Sequence, residues 1–189
     1  MNYRHVFHAG NFADVMKHAV VAMLVEQLKA KPAPFCVLDT HAGTGRYDLA
    51  GESALRTNEA AGGIGRIMAA RGHLPDGLGP YLDAVDAMNP VGPLRWYPGS
   101  PRIVRALMRP DDRLVLAELH PEDAAALKRE FAGDRQVAVH HMDGWLALRA
   151  HLPPRERRGL VLVDPPFEAA DEFAQLVAGL ALAQRRWPT

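Results

Sequence analysis

The chain has 189 residues, a length that fits one domain, with 48% hydrophobic and 23% charged residues. Lys plus Arg equals Asp plus Glu, 22 against 22, which excludes a wholly basic nucleic-acid-binding protein and confines any such contact to a local patch. The single cysteine, Cys36, excludes a disulfide framework and a cysteine-based zinc site. No apolar run reaches membrane-spanning length, and Met1–His5 lacks the apolar core of a signal peptide, so a soluble, cytoplasmic protein is expected.

In chain order, Val15, Met16, Ala19, Val20, Met23, Leu24 and Leu28 recur at helical spacing and predict a helix over 12–29. Residues 35–38 are continuously apolar, as in a buried parallel strand, and run into Asp39. The stretch 50–96 is broken by glycines and prolines, with short amphipathic pieces at 64–70 and 81–88. It reads as a small helical insertion in a single domain spanning 1–189. Ser100-Pro101 reads as an N-cap followed by a first-turn proline, opening a helix to Met108. A strand at 114–117 ends at Glu118, and a helix starts at Pro121 and is closed by Gly133. Strands at 137–139 and 160–163 lead toward Asp143 and Asp164, and a last helix covers 169–186. Strand–helix alternation of this kind predicts an α/β fold with a parallel sheet.

In such sheets ligands bind beyond the carboxyl ends of the strands, where the acidic residues collect. Asp39-Thr40-His41-Ala42-Gly43-Thr44-Gly45 can admit a bulky ligand to the backbone, or can be an ordinary strand-to-helix turn. Tyr47 stands where a dinucleotide fingerprint would continue, so a nicotinamide-type oxidoreductase is disfavoured. No phosphate-loop motif occurs either. Glu118 is placed to accept hydrogen bonds from a ribose diol. Asp143 can reach an adenine amine, or cap the helix that follows it.

Asp164-Pro165-Pro166-Phe167 is the most informative string. Two prolines cannot continue an interior strand, so they lock an extended loop beside an aromatic ring. A carboxylate, a proline carbonyl and a stacking face together hold a planar amino group. Nine histidines raise the question of metal. His140 and His141 are adjacent and point to opposite faces of a strand, so no metal site is expected.

Asp-Pro-Pro-Phe resembles the motif of S-adenosylmethionine-dependent enzymes that methylate adenine N6. More specifically, the chain resembles the RlmJ-type 23S ribosomal RNA methyltransferases. The resemblance rests on Tyr3-Arg4-His5, Phe7-His8-Ala9-Gly10-Asn11, Asp14-Val15, Lys17-His18, Leu38–Gly43, Tyr97-Pro98-Gly99-Ser100-Pro101, Glu118-Leu119-His120-Pro121 and Asp143-Gly144. It implies a Rossmann-like sheet with a helical insertion. It also implies a cofactor site of His18, His41, Ser100, Glu118, Asp143, Gly144 and Asp164. Asp164 would be catalytic, and Tyr3, His5, Lys17, Pro165 and Phe167 would meet 23S rRNA free of ribosomal proteins, with no membrane or metal involved. Members of this family run on for about another third of their length. The fold expected here therefore lacks their C-terminal strands, leaving 160–163 at a sheet edge. The alternatives are a truncated cofactor- or nucleic-acid-binding domain without turnover, and a DNA adenine N6 methyltransferase.

Overall fold

The structure, a computed structural model, describes residues 4–168 and 170–188; Tyr3 lies outside them. The elements begin with α1 (Phe12–Lys29), β1 (Cys36–Asp39) and β2 (Arg46–Asp48). Four short helices follow: α2 (Glu52–Thr57), α3 (Glu59–Gly62), α4 (Ile64–Ala69) and α5 (Gly79–Ala87). Then come β3 (Trp96–Pro98), α6 (Ser100–Leu107), β4 (Arg113–Glu118) and α7 (Pro121–Glu130). The described chain closes with β5 (Val137–His141), α8 (Gly144–His151), β6 (Gly159–Leu162) and α9 (Glu172–Arg186).

Several boundaries differ from the expected ones, each for a local reason. Strands expected at 35–38 and 160–163 form one residue later and one earlier. The N–H of Phe35 goes to the Asp112 carboxylate, not to a neighbouring strand, so the ladder opens at Cys36. The carbonyl of Leu162 ends it, accepting the N–H of Thr40. The third strand extends past its apolar run because Ala117 and Glu118 pair with His140 and His141. Gly99, rather than Ser100, supplies the first helical acceptor of α6, its carbonyl taking N–H groups of Arg102 and Ile103. Helix α9 begins at Glu172, later than expected.

The chain forms two compact units, one of residues 31–44 and 108 onward, the other of 4–30 and 45–107. The first holds a parallel sheet in the order β5-β4-β1-β6. Val37, Leu38, Leu114, Val115 and Leu116 are almost fully buried, as continuous apolar runs in a parallel sheet should be. Cys36, Leu38, Val115, Leu148 and Leu152 pack with Trp145 of α8, Leu182 of α9 and Trp187, which follows α9. Gly159 opens β6 where only glycine fits: a Cβ there would lie 1.9 Å from the Cys36 carbonyl oxygen and 2.6 Å from the Trp187 ring. Among the described strands β6 pairs only with β1, so it stands at an edge.

In the second unit, α1 and the short helices surround buried Ile64, Tyr81, Val85, Tyr97 and Ile103. It also contains an antiparallel ribbon of β2 and β3, with Tyr47 opposite Tyr97, which the helical reading of this stretch did not anticipate. The outward side of that ribbon carries Arg46, its guanidinium 4.7 Å from the centre of the Trp96 ring.

Candidate functional site

The order of the sheet defines where a ligand can enter. From β1 the chain moves outward through β4 and β5, then returns to the other side of β1 with β6. The reversal opens a crevice beyond the carboxyl ends of β1 and β6. Asp39–Thr44 leaves one strand there and Asp164–Phe167 leaves the other.

Gly43 turns the first loop with φ of 61°, a left-handed conformation costly for residues with a side chain. Its N–H donates to Glu118 Oε2 at 2.8 Å, while the N–H of His120 donates to Oε1 at 2.7 Å. Glu118 is thus buried at the end of β4 with its carboxylate plane held from both sides. Each oxygen keeps a second lone pair, so the group can still accept from a diol. Asp39 is fully buried and accepts the N–H of His41 at 3.2 Å.

Asp143 caps α8, its Oδ1 accepting the N–H of Leu146 at 2.9 Å, so the capping reading is realised. The next residue must be small. A Cβ on Gly144 would lie 2.5 Å from the Thr40 carbonyl oxygen and 2.8 Å from His41 Cε1. The imidazole of His41 lies against that glycine and meets Trp145 edge to face at 5.6 Å. Its Nδ1 is 2.8 Å from the Thr40 hydroxyl. Burial pushes the His41 pKa down, against the opposing charges of Asp164 and Asp143, so the ring is neutral at pH 7.

Asp164 is half-buried, Pro165 is buried and Phe167 is exposed. Phe167 has φ of 55°, an uncommon state for an aromatic residue and a sign of a constrained loop. Its ring packs on Phe173 at a centroid distance of 4.9 Å.

The remaining candidates lie in the other unit. His5 Nε2 and Lys17 Nζ bind opposite oxygens of Asp14 at 2.8 and 2.9 Å, and the N–H of Gly10 adds a third bond at 2.9 Å. Burial raises the Asp14 pKa, but the His5 hydrogen bond and the neighbouring His and Lys17 charges outweigh it and hold the carboxyl well below the usual range. His18 is buried, its Nδ1 2.9 Å from the Tyr97 hydroxyl, which continues to that of Tyr81 at 3.1 Å. Burial pushes its pKa down to about 3. Ser100 is buried at the start of α6.

Asp14, which is not among the candidate site residues, is the hub of this cluster. Its signal was the spacing Asn11-x-x-Asp14, a cap followed by an acidic residue three positions on. In the structure Asn11 Oδ1 accepts the N–H of Asp14, and the carboxylate reaches back to Gly10.

A parallel sheet with ligand-facing loops at its switch point, a pinned acidic strand end and an Asp-Pro-Pro-Phe loop define a Rossmann-like methyltransferase. Comparison with known proteins makes the class specific. The family described as "RsmJ: Ribosomal RNA large subunit methyltransferase D, RlmJ" matches residues 32–189, and the chain belongs to it. Over its whole length the chain is 48% identical to "Ribosomal RNA large subunit methyltransferase J" of Escherichia coli (strain K12). It is 42% identical to the protein of that name in Haemophilus influenzae. It spans 67% of the length of each of these relatives. The crystal structure of protein LPL1258 from Legionella pneumophila matches with a TM-score of 0.90 and 36% identity, covering 96% of this chain and 67% of that one. Among the described residues no helix is long and apolar enough to cross a membrane.

Proposed function

We propose that this chain transfers a methyl group from S-adenosylmethionine to N6 of an adenine in 23S rRNA. The observation that carries the reading is the Asp164-Pro165-Pro166-Phe167 loop, which leaves β6 at the switch point beside the Asp39–Thr44 loop. The acceptors there suit a nucleoside: Glu118 keeps acceptor capacity for the ribose hydroxyls, and the cap of α8 leaves one Asp143 oxygen for an adenine amine. When bound, the cofactor supplies a sulfonium-activated methyl group.

The protein's task is then alignment. Asp164 and the Pro165 carbonyl accept hydrogen bonds from the target N6 amine. They draw its lone pair out of the ring and support the positive charge that grows on nitrogen. Phe167 stacks on the base, which must leave any duplex first. His41 and Gly144 complete the cofactor side of this unit. For His18 and Ser100 the cofactor role, and for Tyr3, His5 and Lys17 the RNA role, rest on the family resemblance. The substrate is 23S rRNA free of ribosomal proteins, in the cytoplasm.

The test is transfer of labelled methyl to deproteinised 23S rRNA, with duplex DNA as the control, followed by nucleoside analysis. N6-methyladenosine in the RNA alone supports the reading. Cofactor binding without transfer to either nucleic acid replaces it with that of a binding domain.

A further inference from the structure

Thr40 has no place in the mechanism above, yet its buried side chain links the two strand-end loops. It is 1% exposed, and its hydroxyl touches two groups. The Leu162 carbonyl oxygen lies 3.1 Å away, and His41 Nδ1 lies 2.8 Å away. The N–H of Thr40 donates to that same carbonyl, also at 3.1 Å.

A hydroxyl carries one proton, so only two arrangements exist. If the proton points at Nδ1, the hydroxyl and carbonyl oxygens face each other at 3.1 Å, in a buried place, with lone pairs opposed. If it points at Leu162, the carbonyl accepts two hydrogen bonds and the hydroxyl lone pair accepts one from a protonated Nδ1. Every contact is then satisfied, as buried polar groups require. The imidazole, neutral by burial, thus carries its proton on Nδ1 and a bare lone pair on Nε2. The Cε1–Nε2 edge faces Gly144, where a Cβ would stand 2.8 and 3.0 Å from those atoms, so the glycine keeps a side chain off that edge.

We propose that Thr40 is a positioning residue that holds His41 as the Nδ1–H tautomer, so that Nε2 accepts a hydrogen bond from an aliphatic ammonium group of the ligand. The identity of the ligand rests on the function proposed above; the tautomer does not. The ammonium is favoured by its surroundings. The carboxylates of Asp164 and Asp143 oppose the burial of the His41 ring, so the negative charges near it favour a cation. A group with three N–H donors and a positive charge suits those charges better than an uncharged aryl amine. A protonated imidazole would repel it. The amino-acid end of S-adenosylmethionine carries such a group.

The test uses the whole chain with histidines labelled with nitrogen-15, His41 being assigned by its loss in His41→Gln. Proton–nitrogen correlations report which ring nitrogen is protonated. The native chain should show a protonated Nδ1 and an unprotonated Nε2. Thr40→Val should mix or invert that pattern, and Thr40→Ser should restore it. Calorimetry then compares S-adenosylhomocysteine, which has the ammonium, with 5′-methylthioadenosine, which lacks it. Thr40→Val should weaken the first roughly tenfold, the loss of about one hydrogen bond to a charged group, and leave the second within about twofold. An Nε2–H pattern in the native chain overturns the proposal, as does an unchanged pattern in Thr40→Val or equal weakening of both ligands. If the native chain binds neither nucleoside, the cofactor reading and the acceptor role fall together, while the spectrum still decides the tautomer.

Discussion

Both carboxylate oxygens of Glu118 accept a main-chain N–H, one from Gly43 and one from His120. Glu118→Ala therefore removes the proposed ribose acceptor and also unties the glycine loop. Cofactor affinity should fall about ten- to a hundredfold by calorimetry. Glu118→Gln is informative because it keeps the shape. Its NH₂ must face one of two N–H donors, so it should cost about 1–3 kcal/mol in urea unfolding as well as affinity. Retained affinity in both variants would remove Glu118 from the site. The role proposed for Asp164 is in the chemistry. Asp164→Ala should lower methyl transfer on the order of a hundredfold or more, well beyond any loss of cofactor affinity. Asp164→Asn keeps an acceptor oxygen and should retain more activity than Ala. Equal transfer by Asp164→Ala and the parent protein would reduce the loop to a stiff turn.

At the scale of elements, β6 decides where Asp164 stands, and β6 is held by its pairing with β1 and by the packing of Trp187 over its first residue. Gly159→Ala puts a carbon into the Cys36 carbonyl and the Trp187 ring, so strand or helix must shift. We expect a loss of about 1–3 kcal/mol, read as a lower urea midpoint at unchanged slope, with methyl transfer impaired although no ligand contact is touched. The N-terminal block behaves as an element too. His8 and Asn11 bind Glu59, His5 and Lys17 bind Asp14, and Gly10 lies between them. Without its partners, each of these looks like a solvated polar position.

Over the whole molecule, buried ionisable groups tie stability to pH in two windows. His18 has its folded pKa lowered from 6.5 to about 3 by burial. The unfolded chain therefore binds the extra proton between those values, and stability is full above 6.5 and falls as the pH drops below it, by up to about 1.4 kcal/mol per pH unit. Glu156 follows lower down. Burial raises its pKa, but hydrogen bonds from Arg113 and Arg155 outweigh this and bring it to about 2 from 4.5. Its contribution is present above 4.5 and lost as the pH falls toward 2. Urea midpoints measured from pH 7 to pH 4 should decline, and His18→Gln should flatten the upper part of that decline while leaving the acid limb. A parent protein with flat midpoints across this range would show that His18 is not buried as a neutral ring.

Local patterns carried the α/β class, because continuous apolar runs and helical spacing are set by which faces are buried, and those patterns survive in one dimension. They carried the Asp-Pro-Pro-Phe loop too, since two prolines restrict the backbone whatever surrounds them. The capping role of Asp143 was legible for the same reason. The ribbon of β2 and β3 was not, because its strands are short and lie far apart in sequence, and only their meeting pairs Tyr47 with Tyr97. Nor could spacing reveal that Glu118 is tied on both oxygens, that His18 is buried against Tyr97, or that His5 reaches Asp14. Hydrogen bonds between residues distant in the chain depend on direction and distance in space. The sequence supplied the donors and acceptors, and the tertiary fold alone decided which of them meet.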